Sequence, residues 1–224
     1  MDKLNRDSLH LTGFEGVREH RLVFDKRVRG EGLQGGAWDG IGQFVYLADA
    51  RFVPGGETGM HNHKEIDVIS LMLDGRVQHE GSLEHGKSLE AFDVQVQRAG
   101  GEGFAHNEVN PDDTENRMIQ LWVLPEKSGD PAAYRHYHLS SGKVTRVYGG
   151  EPDQDAAFAA VTCIDIARLE FGQSLDIDKP AMVYVCQGRG FVNEDEAVGG
   201  DLLRADQLTY DAAEDSVLIL IHES

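Results

Sequence analysis

The sequence contains little cysteine and little positive charge. Its 224 residues include only two cysteines, Cys163 and Cys186, which excludes a disulfide scaffold and a four-thiolate zinc site. Both lie in apolar stretches, as small core residues do. Lysine and arginine total 21 against 39 aspartates and glutamates, which gives a formal net charge of -18. Because so acidic a surface repels phosphates and anionic headgroups, we expect no direct contact with nucleic acid or membranes.

Long apolar runs are also missing. The first ten residues are polar and charged and lack the apolar segment of a secretory signal. No window approaches the roughly 18 apolar residues that a membrane span needs. We therefore expect a soluble cytoplasmic protein. The hydrophobic fraction of 40% is enough for a core, and the length allows one large domain or two small ones.

The apolar residues that are present follow the pattern of short strands. Many such strands, separated by glycine-containing turns, predict an all-β barrel or sandwich. Helical pattern is scarce, and only residues 155–160 suggest a single helical turn. The predicted strands cover residues 66–73, 92–97, 118–124, 161–171, 181–186, 202–210 and 217–221.

The two halves of the chain resemble each other. Residues 72–76 (MLDGR) correspond to residues 185–189 (VCQGR), and each segment precedes an alternating strand and then an apolar one. This similarity predicts two tandem copies of one β unit. We assign an N-terminal domain to residues 1–140 and a C-terminal domain to residues 141–224, with the junction in the polar stretch 140–155.

The histidines suggest a metal site in the first half. His61 and His63 are spaced i, i+2, and His106 and Glu108 repeat that spacing 43 residues after His63. Side chains at i and i+2 of a strand project from one face, so two imidazoles can meet at a single ion. Two such pairs on facing strands of a barrel would supply three imidazoles and one carboxylate.

A second His-x-His segment occurs near the predicted junction. His136 and His138 have the same spacing, but no matching pair of metal-capable side chains accompanies them in the sequence. We therefore do not expect them to bind metal, and we expect the substitution of His138 to leave the bound metal unchanged.

The sequence around the first pair resembles the cupin motifs. Residues 55–63 (GGETGMHNH) resemble the opening of the first motif, and residues 103–110 (GFAHNEVN) resemble the end of the second. The sequence departs from these motifs at four places, one of which is the closing glycine of the first motif, Gly75, which lies one residue late. Asp67 replaces the glutamate of the first motif, Gly101 replaces a proline of the second, and Gln95 replaces a glycine of the second.

These departures fit one branch of the cupin superfamily, the pirins. Residues 61–80, 99–111 and 119–124 resemble the pirin N-terminal domain closely, and the resemblance covers about residues 35–137. The C-terminal half resembles pirins only in length, strand content and the lack of a histidine set.

The resemblance implies a bicupin, two tandem jelly-roll β-barrel domains of which only the first binds metal. It implies His61, His63, His106 and Glu108 as ligands of one divalent ion and favours Fe(II), although these donors also suit Mn, Co, Ni and Zn. The implied activity is quercetin 2,3-dioxygenase-like cleavage of a flavonol or another enolic substrate with dioxygen. In our hypothesis Glu108 is also the catalytic base for the enolic hydroxyl.

Two other readings stay open. The resemblance also allows a metal-binding, redox-sensing regulatory protein that acts on a protein partner without turnover. A zinc-dependent isomerase or other non-redox cupin would share the ligands. We expect a monomer in each case.

Three residues near the candidate ligands have less certain roles. Asp67 is expected either to hydrogen-bond a metal-ligating histidine or to face solvent. His79 could line the pocket. Trp122 is expected to pack in the core rather than to stack on substrate.

Overall fold

The structure is a computed structural model that describes residues 1–30, 35–83, 86–151 and 156–224. Regular structure in these ranges is almost entirely β, which confirms the predicted all-β class. The exceptions are one helix, α1 (Lys26–Arg29), and a single 3₁₀ turn (Arg6–Ser8). The Asp25 carboxylate caps α1 by accepting a hydrogen bond from the Arg27 backbone N–H. No described helix has the length and apolar character needed to cross a membrane.

Twenty-one strands make up the described structure. Numbered along the chain, they are β1 (Asp2–Asn5), β2 (Thr12–Phe14), β3 (Val17–Phe24), β4 (Phe44–Phe52), β5 (His61–His63), β6 (Asp67–Asp74), β7 (Arg76–Gly81), β8 (Ser88–Glu90), β9 (Asp93–Arg98), β10 (Phe104–Val109), β11 (Arg117–Val123), β12 (Ala133–His138), β13 (Lys143–Gly150), β14 (Ala160–Leu169), β15 (Ser174–Ile177), β16 (Ala181–Gln187), β17 (Arg189–Val192), β18 (Asp195–Val198), β19 (Asp201–Ala205), β20 (Leu208–Ala212) and β21 (Ser216–Glu223).

The chain divides into two compact units. The first unit, Leu9–His138, has a seven-stranded sheet in the order β12-β9-β6-β11-β4-β3-β2 and a four-stranded sheet in the order β5-β10-β7-β8. The second unit combines Met1–Ser8 with Leu139–Ser224. Its sheets have the orders β1-β19-β16-β21-β14-β13 and β15-β20-β17-β18. Thus the first eight residues group with the second unit, whereas our sequence-based assignment placed them in the N-terminal domain.

The two units repeat one topology. In the small sheet of the first unit, the edge strand β5 pairs with β10, the strand of that sheet that comes last in the chain. In the small sheet of the second unit, β15 pairs with β20 in the same way. In each large sheet the strands β9-β6-β11-β4-β3 correspond in order to β19-β16-β21-β14-β13. This repetition is the duplicated, bicupin architecture that the sequence predicted.

The two units carry different side chains at corresponding positions of their small sheets. Where β5 and β10 carry histidines, β15 and β20 bury Ile177, Leu208, Tyr210 and Ala212 in the apolar core of the second unit. Tyr210 is completely buried, and its hydroxyl lies 3.0 Å from Ser216 Oγ. An interior of this composition offers no set of metal donors on these two strands.

Three local predictions differ from the structure. The single strand expected over residues 202–210 is two strands, β19 and β20, because the chain passes from one sheet to the other at residues 206–207. The polar stretch 140–155, expected to be a junction, contains β13, which pairs with β14. Asp155, the start of the expected helical turn, lies outside the described residues. Phe158 forms a bridge to Tyr148 instead of entering a helix.

Candidate metal centre

The pairing of β5 with β10 brings the two predicted histidine segments together. His61 is the Cα partner of His106, and His63 is the Cα partner of Phe104. Side chains of residues opposite each other on antiparallel strands share one face, so His61, His63 and His106 project to the same side of the small sheet. Strand register therefore places residues that are 45 positions apart in direct contact.

The three imidazoles form a compact cluster. One donor atom from each of His61, His63 and His106 lies within 4.8 Å of the other two. The Nε2 atoms of His61 and His106 are 3.0 Å apart, and the three ring centroids are 4.5–5.0 Å from one another. His106 is fully buried, His63 is nearly so and His61 is partly exposed. Within the described residues no other group of three or more potential ligands has its donor atoms this close together.

Hydrogen bonding leaves ring nitrogens available in this cluster. His61 Nδ1 lies 2.8 Å from the carbonyl oxygen of Gly59, a contact that assigns the proton to Nδ1 and the lone pair to Nε2. His63 Nε2 is buried and has no hydrogen-bond partner. A buried polar nitrogen without a partner costs free energy unless something binds it. The cluster therefore fits a divalent ion, which would satisfy His63 Nε2 and occupy the side to which His61 and His106 direct their Nε2 atoms.

Two imidazoles of the cluster, those of His63 and His106, are in the protonation state that a metal requires. Burial lowers the pKa of His63 to about 4, with a contribution from the adjacent His61. Burial likewise lowers the pKa of His106 to about 2, and the surrounding imidazoles reinforce the effect. Both rings are neutral at pH 7, and neutral imidazole is the form that ligates metals.

The fourth predicted ligand, Glu108, follows His106 at i+2 on β10. Its carboxylate is fully buried but is not part of the three-histidine cluster as the side chains stand. Oε1 accepts hydrogen bonds from Gln95 Nε2 at 2.8 Å and Ser70 Oγ at 3.0 Å. Oε2 accepts one long bond, 3.3 Å, from Gln120 Nε2. Burial raises the pKa of Glu108 to about 7, although the bonds from Ser70 and Gln95 favour the charged form.

The backbone around Glu108 is fixed from two directions. Its N–H donates to Thr58 Oγ1 and its carbonyl accepts from the Thr58 N–H, both at 3.0 Å. Beyond the strand, the Asn110 side chain donates to the carbonyls of Phe52, Val53 and Thr114. The asparagine of the cupin-like motif therefore acts in the fold, holding the end of the strand that carries His106 and Glu108.

The residues with less certain roles are all in or near this site. His79 is completely buried, its ring centroid is 5.5 Å from that of His106, and its Nε2 lies 3.0 Å from Gln97 Nε2. Trp122 stacks on Tyr46 with ring centroids 4.1 Å apart, and its ring centroid is 5.8 Å from that of His63.

Asp67 is buried, so its expected alternative of facing solvent is wrong. Its carboxylate accepts a hydrogen bond from the Ala99 N–H at 3.1 Å. The expected core location of Cys163 and Cys186 is confirmed, since both are buried.

Sequence reasoning missed the role of Ser70 and Gln95 at this site. Both are completely buried and hydrogen-bonded to Glu108. Each is a polar residue inside an otherwise apolar or alternating strand, at a position that faces the interior. A buried polar side chain needs a partner, so this pattern indicated an interior polar group nearby.

Comparison with known proteins gives a consistent result. A family model described as Pirin matches residues 38–123. A Zymomonas mobilis protein with a provisional quercetin 2,3-dioxygenase name is 26% identical over 188 residues, covering 77% of this chain and 79% of that protein. The quercetin 2,3-dioxygenase of Escherichia coli K12 is 33% identical over 88 residues, which are 38% of each chain.

Solved structures extend the likeness over the whole chain. The crystal structure of the bacterial pirin YhhW from Escherichia coli in complex with nickel(II) superposes with a TM-score of 0.83. The match covers 98% of this chain and 97% of that one at 19% sequence identity. Identity this low establishes the fold, and the fold is that of the bicupin proteins.

Proposed function

Because this chain belongs to the pirin family, we propose that His61, His63, His106 and Glu108 bind one divalent transition-metal ion and that the loaded protein is a dioxygenase. The proposed substrate is a flavonol or a similar enolic compound. The observation that carries this proposal is the three-histidine cluster, with its donor atoms within 4.8 Å of one another and the unpartnered His63 Nε2 among them.

The donor set limits the choice of ion. Three neutral imidazoles and one carboxylate suit Fe(II), Mn(II), Co(II), Ni(II) and Zn(II), and we propose Fe(II) for the dioxygenase. When bound, such an ion supplies positive charge that lowers the pKa of a nearby enolic hydroxyl, together with the redox chemistry that dioxygen requires. His61 and His106 are pre-oriented for this role, since the Gly59 carbonyl fixes the tautomer of His61 and burial immobilises His106.

Glu108 is the proposed base, and its two oxygens have different tasks. Gln95 and Ser70 anchor Oε1, whereas Oε2 has only the long contact with Gln120. Oε2 is therefore the atom that accepts the proton of the substrate hydroxyl, and the anchored Oε1 keeps the carboxylate in place while it does so.

The substrate would approach past β11. Gln120 and Trp122 are partly exposed, on a strand whose neighbouring residues are buried, and they lie beside Glu108 and His63 respectively. The Gln120 amide is suited to hydrogen-bond a hydroxyl of a polyhydroxylated ring. Trp122 instead stacks on Tyr46 and packs against the core cluster of Val68, Ala99 and Phe104, in line with its expected core position. We propose that Gln120 orients the substrate beside Glu108.

The test is anaerobic metal loading followed by oxygen-uptake measurements with quercetin and a panel of other flavonols. We expect uptake with the iron-loaded protein, none after metal removal, and at least a tenfold loss of kcat in Glu108→Gln. The matched control is Glu90→Gln, since Glu90 is an exposed glutamate on β8 of the same sheet. Full turnover by metal-loaded Glu108→Gln would disprove the role as base.

The same measurements distinguish the other readings. A stable iron-bound protein that consumes no oxygen with any polyphenol would overturn the dioxygenase and support the redox-sensing regulatory protein. Conversion of an enolic substrate by the zinc form without oxygen uptake would support a non-redox isomerase.

A further inference from the structure

We propose that His136, His138 and Asp93 form a second binding site for a divalent transition-metal ion, separate from the three-histidine cluster. The site lies at the edge of the large sheet of the first unit, on β12 and the adjacent β9. It does not depend on the dioxygenase proposal, because none of its residues belongs to the proposed catalytic site.

The donors come together through strand register. His136 and His138 are spaced i, i+2 on β12 and therefore project from one face, and His138 is the Cα partner of Asp93 on β9. The sequence offered these histidines no matching pair and predicted that they do not bind metal, an expectation that this proposal reverses. The neighbouring strand provides the missing donor as a single aspartate, 43 residues before His136, which no sequence spacing indicates.

The carboxylate of Asp93 contacts both imidazoles, one with each oxygen. His138 Nδ1 is 2.8 Å from Oδ1, and His136 Nε2 is 3.5 Å from Oδ2. Two imidazoles and one carboxylate make up a set of donors that Ni(II), Cu(II), Co(II) and Zn(II) all accept. An ion would take the place of the proton in the hydrogen bond between His138 Nδ1 and Asp93 Oδ1.

The carboxylate is held in place while the imidazoles are accessible. The Asp93 side chain is 13% exposed, and its Oδ2 also accepts a hydrogen bond from the Glu90 N–H at 3.0 Å. The side chains of His136 and His138 are 36% and 67% exposed, so they can turn toward an arriving ion without unpacking a core. Burial alone would raise the pKa of Asp93, but the hydrogen bonds from His138 and from the Glu90 N–H, together with the two nearby histidines, outweigh it and lower that pKa.

We expect this site to bind metal more weakly than the three-histidine cluster does and to stabilise β12. Three protein donors at an exposed edge leave the remaining coordination positions to water. Because the ion would join β12 to β9, its binding would stabilise the last strand of the first unit, immediately before the second unit resumes at Leu139.

The test is a calorimetric titration of the metal-free full chain with Ni(II). We expect two binding events in the wild type and one in His136→Ala/His138→Ala, the tighter event being retained. Asp93→Asn should weaken the second event at least tenfold. His10→Ala, which removes a single exposed histidine, is the matched control and should keep both events. A single event in the wild type, or two unchanged events in the double variant, would overturn the proposal.

A spectroscopic measurement separates this site from binding by isolated surface histidines. In His61→Ala/His63→Ala, Cu(II) should give an electron paramagnetic resonance spectrum with hyperfine splitting from two imidazole nitrogens. Splitting from one nitrogen, or a two-nitrogen spectrum that persists after His138→Ala is added, would show that the copper binds elsewhere and would disprove the site.

Discussion

The Nε2 atoms of His61 and His106 lie 3.0 Å apart in the interior of the first unit. The two residues are 45 positions apart in sequence and face each other because β5 and β10 pair in the register that opposes them. Two neutral imidazole nitrogens at this distance need a proton or a cation between their lone pairs. With His61 Nδ1 assigned as the donor to Gly59, a cation shared with the unpartnered His63 Nε2 would bind the Nε2 atoms of all three rings.

The first prediction concerns the loss of a ligand. His106→Ala removes a fully buried imidazole from the cluster, so metal affinity should fall by more than the roughly 100-fold that is lost when a hydrogen-bond partner of a ligand is changed. Elemental analysis after dialysis and competition with a chromogenic chelator measure the effect. His10→Ala, with an exposed histidine on the same unit, should bind metal as the wild type does. Stoichiometric metal with unchanged affinity in His106→Ala would refute the assigned site.

The second prediction concerns the anchoring of Glu108. Gln95→Leu removes the 2.8 Å bond to Oε1 while keeping a buried side chain of similar size. We expect metal affinity to fall about 10- to 100-fold, because partners of a ligating carboxylate fix its orientation. Ser70→Ala, which removes the second bond to the same oxygen, should act in the same direction. If both variants bind metal normally while Glu108→Gln does not, the two side chains serve only the fold.

Much of the fold could be predicted from sequence because it depends on local periodicity. Six of the seven predicted strands occur as single strands, since alternation and apolar runs are properties of neighbouring residues. The prediction of a single strand over residues 202–210 was wrong because the break at residues 206–207 contains no glycine or proline, and apolar residues continue on both sides of it. Strand β1 pairs with β19, almost 200 residues away, and no local pattern identifies such a partner.

The candidate site was partly predictable for the same reason. The i, i+2 spacing identified His61, His63 and His106 as residues that could share a face, and the structure brings those three together. The interactions across strands could not be predicted, since they depend on register. Gln95 bonds to Glu108, and Asp93 contacts His136 and His138, only because of how β9 pairs with its neighbours.

The third prediction uses two glycines with similar backbone conformations. Gly103, just before β10, has φ +75°, and a Cβ there would lie 2.7 Å from the His63 carbonyl oxygen. Gly129 has φ +87°, but a Cβ there would meet nothing within 4 Å. Both alanine variants incur the left-handed backbone cost of roughly 1–2 kcal/mol. Only Gly103→Ala also displaces β5.

The measurements are denaturant unfolding and metal binding. We expect Gly103→Ala to lower the free energy of unfolding more than Gly129→Ala does and to weaken metal binding as well, because His63 moves with its carbonyl. Equal unfolding free energies for the two variants, with equal metal affinity, would show that β5 accommodates the added methyl group.

A buried charge network in the second unit leads to the fourth prediction. Asp165 accepts hydrogen bonds from the Arg146 guanidinium with both oxygens and from His222 Nε2 at 3.0 Å. Asp165 is 9% exposed and His222 is 8% exposed. Burial alone would raise the pKa of Asp165, but the bonds from His222 and Arg146 outweigh it, and the pKa lies below its ordinary value.

This lowered pKa makes the stability of the protein depend on pH. The unfolded chain protonates Asp165 near pH 3.9, whereas the folded chain holds it ionised to lower pH, so the unfolded state binds more protons. The stabilisation is complete above about pH 5 and is lost as pH falls through 3.9 toward the folded pKa. Asp165→Asn should reduce the free energy of unfolding at pH 7 by about 1–3 kcal/mol and flatten its decline between about pH 5 and 3. Urea unfolding across this range tests the slope, with Asp195→Asn, an exposed aspartate of β18, as the matched control. If the free energy of unfolding of Asp165→Asn declines with falling pH as steeply as that of the wild type, other carboxylates cause the loss of stability at acid pH.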